Sequence, residues 1–258
     1  MAVETYYFGQ GKVFSRPYNT SGAKWRWWGD VSALNLAANV EKVTHLESFS
    51  GNRGIVRDIP ISKAMTVNAT IHQLDTESLA LLIYGAATTV AAGTVAAESL
   101  GTVAPGDLLK LAYGGVSSLV ITDSDTVPVT IDDAHYELDA RFGSIEIKTL
   151  PTSPAPVMPL KAAYSYSGGK QVNFLTQPQP IVEFRYEGIN LAEGNAPVVV
   201  EFYKLATNPL QDLALITGGG ALAGVSIECA VQIDSSKPAT GLLGQFGRFL
   251  QLNAPATP

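Results

Sequence analysis

The sequence predicts a mainly β protein: an antiparallel β-sandwich or half-barrel with one short flanking helix, carrying a second all-β module inserted in mid-chain. Three observations predict it. The chain holds 24 Gly and 15 Pro, with abundant Thr, Val and Ser, a composition that favours many strands and turns over helices. Charged residues make up only 16%, against roughly 25% in ordinary soluble domains. A chain so poor in charge either buries much of itself or hides surface against neighbours. Third, alternation of apolar and polar residues recurs at 61–71, 181–187 and 225–234, the period of a strand with one face buried.

Residues 1–30 are rich in aromatics, among them Tyr6, Tyr7, Phe8, Phe14, Tyr18, Trp25, Trp27 and Trp28. Interspersed turn residues suggest an extended arm that lies along a surface. It either folds onto its own sandwich or anchors on a neighbouring subunit, where Trp is a favoured contact residue. Trp25, Trp27 and Trp28 are the candidate interface residues. Val31, Leu34 and Leu36 then open a strand, and residues 41–49 are extended in character. The segment 47–60 is too long and too charged for a tight hairpin, and loops of that length usually carry function. Its charged residues Arg53, Arg57 and Asp58 lie in a Gly-flanked stretch. Ile61, Lys63, Met65, Val67, Ala69 and Ile71 follow on one strand face, expected buried. The period then switches: Asp75 and Thr76 are good N-cap residues, Glu77 suits a first turn, and an apolar LALLIY run stops at Gly85.

After Gly85 a small, featureless stretch reads as a linker. From about residue 95 to 166, short strand-like runs alternate with GG, DSD, DD and RFG turns, the size and rhythm of an immunoglobulin-like sandwich. This middle segment, residues 94–166, holds 4 Lys/Arg against 9 Asp/Glu, most of the net charge of −6. The expected organisation is one sandwich of residues 1–93 and 167–258, split by a module at 94–166. In its second half, Glu183, Arg185 and Glu187 share the polar face of one strand. Glu201 lies on the next, and Glu228 lies on the outer side of a strand whose Val225, Ile227, Cys229, Val231 and Ile233 face in.

No segment has the basic stripe that nucleic-acid affinity needs. No apolar run is long enough for a membrane-spanning helix, and the start lacks a charged-then-apolar signal pattern. A single cysteine, Cys229, allows no internal disulfide and reads as a small core residue. His45, His72 and His135 lack metal-ligand spacing, so no metal is expected. Gly218, Gly219 and Gly220 precede a strand rather than a helix, which makes a turn and not a phosphate loop. Asp123, Asp125, Asp132 and Asp133 have no EF-hand spacing and read as turn residues. Glu183 and Glu187 would stand ~13 Å apart at ~3.3 Å per residue, beyond the spacing of paired-carboxylate hydrolases. No enzyme activity and no cofactor is expected.

The order of Gly29-Asp30-Val31, the charged segment 51–59, the alternating strand 61–71 and Leu79-Ala80-Leu81-Leu82 ending at Tyr84-Gly85 resembles the major tail tube proteins of long-tailed bacteriophages. The resemblance spans about two thirds of the chain in two pieces and consists of pattern and order. It implies a structural virion protein, assembled in the host cytoplasm, whose copies form stacked hexameric rings. The inner strands would join into one barrel, and genomic DNA would pass through without specific binding. Partners would be further copies of the chain, a tape-measure protein, and tail-terminator and distal tail proteins, with no membrane. An inserted module would have to sit on the tube exterior, which favours a non-contractile tail. Arg53, Arg57 and Asp58 become candidates for contacts between rings, and Glu183, Arg185, Glu187, Glu201 and Glu228 for the lumen, where an acidic or neutral polar face, with Arg185 discordant, would keep phosphate from sticking. The competing readings are a carbohydrate-binding or adhesin-like β protein, for which Tyr113, Tyr136 and Tyr164 are few exposed-aromatic candidates, and a hydrolase, which lacks a nucleophile–base pair.

Overall fold

The structure is a computed structural model that describes residues 5–218 and 222–252. It is mainly β, with several antiparallel sheets and one short α-helix. The chain divides into two units, residues 1–86 with 172–258 and residues 87–171.

The first unit opens with β1 (Gly9–Pro17), β2 (Arg26–Trp27), β3 (Val31–Leu46) and β4 (Ile55–Ile71). Part of the aromatic N-terminal stretch, β1 and β2, is therefore strand in this unit's own sheet, where Phe14 stands opposite Trp27. β3 and β4 pair along nearly their whole length, from Val31 opposite Ile71 to Leu46 opposite Ile55. Only Val67, Ala69 and Ile71 of the alternating stretch are buried; Ile61 and Lys63 stand exposed. The expectation of one continuous buried face fails there because the neighbouring strand stops opposite Met65, so the outer part of the ribbon has no layer beneath it. Pro60, which has no N–H to give a ladder, sits where the register shifts between Glu41 and Lys42.

Helix α1 (Thr76–Leu82) follows, capped by Asp75, whose carboxylate accepts from the Ser78 N–H at 2.7 Å. It buries Ala80 and Leu82, and Leu82 belongs to the sandwich core. Gly85 is required just beyond it: a Cβ there would lie 1.8 Å from the Asn173 carbonyl oxygen.

The second unit contains β5 (Ala87–Val90), β6 (Gly93–Gly101), β7 (Leu108–Lys110), β8 (Val116–Thr122), β9 (Thr130–Ile131), β10 (Tyr136–Asp139), β11 (Ser144–Ile147), β12 (Leu160–Tyr166) and β13 (Gly169–Val172). A three-stranded sheet, β10-β11-β7, and a four-stranded sheet, β6-β12-β8-β9, enclose Ile121, Ile145, Ile147, Leu160 and Ala162. The expected linker after Gly85 is thus strand, its Thr and Val residues being well suited to edge positions. Asp123 is a buried turn residue whose carboxylate accepts from the N–H groups of Val129 and Val157 at 2.7 and 3.1 Å. Those bonds, the Val129 one foremost, lower its pKa.

The chain returns to the first unit through β14 (Ile181–Asn190), β15 (Ala196–Thr207), β16 (Val225–Val231) and β17 (Gly247–Gln251). The sheet order is β2-β1-β14-β15-β16-β4-β3, with β17 also on β15. β15 splits the sheet: Val198–Phe202 pair with β17, and Leu205–Thr207 with β16. The sheet therefore curls into two layers around Val13, Trp28, Val67, Phe184, Leu205 and Cys229. β16 ends at Val231, and the expected alternation inverts beyond it: Ile233 is exposed and Asp234 buried. Asp234 instead accepts from the Ser236 N–H and hydroxyl at 3.0 and 2.7 Å, which lowers its pKa, the hydroxyl bond first. Gly218 lies in a loop before β16; Gly219, Gly220 and the Pro/Thr/Ala tail from residue 253 lie outside the described residues.

Candidate assembly interface

Three surface features of the first unit gather the residues singled out by sequence. The first is the β3–β4 ribbon. Beyond the Met65 level it runs on alone to a tip at residues 47–54, closed by a bond from the Glu47 N–H to the Gly54 carbonyl at 2.9 Å. Arg53 lies at this tip with φ +50°. Arg57 and Asp58 do not lie in a loop: they are strand residues opposite His45 and Thr44, in a run whose Ile55, Val56 and Ile59 are β-branched residues that favour strand. Lys42 approaches Asp58 at 3.9 Å, an exposed pair of little energetic weight. The ribbon exposes Val40, Val43, Leu46, Ile55, Val56 and Ile59, and Phe49 at the tip is 86% exposed. Apolar side chains on both faces of a two-stranded ribbon cannot be stabilised by that ribbon alone.

The second feature is the outer face of β1, β14, β15 and β17, where an ion-pair ladder crosses four strands. The Arg16 Nε donates to Glu183 at 2.8 Å, Arg185 reaches Glu187 at 2.6 Å and also Glu201, and the Arg248 Nε donates to Glu201 at 2.6 Å. The expected acidic surplus is absent here, because Arg16, Arg185 and Arg248 answer the three carboxylates across the strands. Glu228 faces elsewhere. It is exposed on β16 beside Asn68 of β4, on a face whose β16, β4 and inner β3 positions carry Ala, Ser, Thr and Asn and no Lys or Arg.

The tryptophans separate. Trp25 and Trp27 are 40% and 48% exposed, with the Arg16 guanidinium 4.7 Å from the Trp25 ring and the Lys12 amine 5.7 Å from the Trp27 ring. Trp28 is not an interface residue. It is 5% exposed, meets Phe184 edge to face at 5.6 Å, and its Nε1 donates to the Ser15 hydroxyl at 2.7 Å. One step along an extended chain reverses the face, which puts Trp28 in the core and Trp27 outside.

The third feature was not foreseen: a groove of about 760 Å³ between the two layers, lined by Tyr7, Asp30, Leu34, Tyr186, Val200 and Phe249 among others. Burial pushes the Tyr186 hydroxyl up to about 12, helped by its bond with Tyr7. The available signal was the alternation of Leu34 and Leu36 on the strand that becomes the ribbon. Among the described residues no group of His, Cys, Asp or Glu is arranged to hold a metal ion, and no helix is long and apolar enough to cross a membrane.

Fold and surface define a class: a two-unit, mainly β protein of antiparallel sheets, one of whose strand pairs runs on as a ribbon that exposes apolar side chains. The family model described as "Protein of unknown function UCP028589" matches residues 6–250, and the chain belongs to that family. No curated protein matches it.

Proposed function

We propose that this chain is the structural subunit of a bacteriophage tail tube, a non-enzymatic virion protein whose copies close into hexameric rings that stack around a conduit for genomic DNA. The observation that carries the reading is the β3–β4 ribbon: a long projection, apolar on both faces, with no partner in its own fold. β3 is also an edge strand of 16 residues, and its first ten, VSALNLAANV, hold no charge, proline or glycine. Edges that must stay single are commonly shortened or charged; this one, long and uncharged over that stretch, has the makeup of an edge that is covered on assembly. Ring closure covers edges, and a head-to-tail contact along the axis repeats without limit. The second unit, with its separate core, suits a position on the tube exterior.

DNA passage needs a surface without fixed cation excess. The ladder of Glu183, Arg185, Glu187 and Glu201, balanced by Arg16 and Arg248, and the Glu228 face both meet that need. The tape-measure, tail-terminator and distal tail proteins enter as partners through the resemblance alone. Negative-stain electron microscopy of the concentrated, purified chain tests the reading. Hollow tubes with sixfold end views are expected, and single particles at every concentration and salt would contradict it.

A further inference from the structure

The groove and the ribbon tip lie at opposite ends of the same strand pair. Leu36 on β3 is at the groove, and Leu46, ten residues along the same strand, is at the tip. At about 3.3 Å per residue the two stand roughly 33 Å apart. A continuous paired ribbon cannot fold back on itself, so no copy can place its own tip in its own groove.

We propose that the groove receives the ribbon tip of a second copy of this chain. This rests on the tube reading and names the surface that the ribbon meets. The two surfaces match in three respects. The groove is walled by Leu34, Tyr186 and Val200, with Leu36 and Phe249 exposed at its margin; the tip offers Leu46, Phe49, Ile55 and Val56, all exposed. A volume of about 760 Å³ falls in the range of ~300–1,000 Å³ that encloses a compact ligand, enough for a few apolar side chains and too little for a whole ribbon.

The backbone matches as well. β3 and β17, which carry Leu36 and Phe249, each have one edge with no backbone partner among the described residues. The β4 side of the ribbon beyond Met65 also lacks one. An incoming ribbon can therefore add main-chain bonds beside its buried side chains. Charge agrees with this: Asp30 in the groove makes no ion pair among the described residues, and neither do Arg53 or Arg57 near the tip. Because every copy has one tip and one groove, the contact is head-to-tail and propagates. The length of the ribbon sets an axial step on the order of 30 Å.

Two full-length variants test this. Leu36→Glu with Phe249→Glu spoils the groove, and Phe49→Ser with Ile55→Ser and Arg53→Glu spoils the tip. All five positions are exposed, and circular dichroism checks that both variants fold. By size-exclusion chromatography with light scattering, each variant alone should stop short of tubes. Their equimolar mixture should form a complex of twice the mass, joining the intact groove of one to the intact tip of the other. If wild type forms tubes and the groove variant also does, or if the mixture shows no mass doubling, the proposal is overturned while the tube reading stands. If wild type itself never assembles, both fall.

Discussion

Trp28→Ala should destabilise the first unit by about 3–5 kcal/mol, the range for removing a large aromatic from a core. Trp28 is 5% exposed and sits edge to face with Phe184 at 5.6 Å, a contact contributing ~0.5–1.5 kcal/mol beyond simple burial. Its Nε1 also satisfies Ser15, itself only 5% exposed. Trp28→Phe keeps most of the packing and loses the indole N–H, so it should cost about 1–3 kcal/mol from the unsatisfied hydroxyl. Trp27→Ala, at 48% exposure, should cost no more than about 1 kcal/mol, mostly the cation–π contact with Lys12. All three tryptophans lie in this unit, so in each variant the remaining two report its unfolding in urea by fluorescence, separately from the second unit. At about 2–4 °C per kcal/mol, Trp28→Ala should also lower that unit's Tm by roughly 6–20 °C. Equal effects from Trp27→Ala and Trp28→Ala would refute the reasoning, because they would place both indoles on the same side of the sheet.

Asp75→Ala should cost about 1 kcal/mol as a lost cap. Burial pushes the Asp75 carboxyl up, but the Ser78 N–H and the Arg26 guanidinium outweigh it and bring it down to about 2. Its side chain is 60% exposed, so solvent screens the ion-pair share. Because the folded pKa lies below the unfolded one, this stabilisation is full above pH ~4 and lost as pH falls toward 2; urea titrations of wild type and variant should converge over that window. Cys229 is fully buried, and burial pushes its thiol up to about 12. A thiol reagent should therefore label it only as fast as the first unit opens, with labelling at native-state rates counting against the core placement. Removing residues 87–171 and joining Ala86 to Val172 through a short Gly-Ser turn should leave a folded first unit. The Asn173 N–H already meets the Ala86 carbonyl at 3.3 Å, and the first core draws nothing from the second unit; a molten product by near-UV circular dichroism would contradict this. Glu201→Gln leaves Arg185 and Arg248 facing each other and should cost about 1–2 kcal/mol at low salt, less at high salt.

Much of the fold was legible because period-two alternation reports which face is buried wherever two layers cover a strand. Val182 and Phe184, or Val225, Ile227, Cys229 and Val231, are buried as their pattern requires. The pattern misled at Ile61 and Lys63 for a physical reason: alternation is the same whether a face is covered by its own chain or awaits a partner. Trp28 was misplaced because composition marks an aromatic segment without marking which side each ring takes. Only the pairing of β2 with β1, Trp27 opposite Phe14, sets that. The ladder was half legible. Glu183, Arg185, Glu187 and Glu201 stood out, but Arg16 and Arg248, which balance them, lie 167 and 47 residues away from their partners in the chain. Of the groove, only the alternation of Leu34 and Leu36 was legible, since its walls come from β1, β3, β14, β15 and β17 together.

The central claim is that the ribbon joins one copy to the next, and one comparison tests it most directly. Electron micrographs are taken of the full chain and of a variant in which residues 43–58 are replaced by a short Asn-Gly turn. The shortened ribbon keeps every buried residue of the first core, so the variant should fold. The full chain should give tubes with an axial repeat on the order of 30 Å, the reach of the ribbon. The variant should give only isolated rings or monomers. Tubes of unchanged repeat from the shortened chain, or monomers from both, would contradict the account.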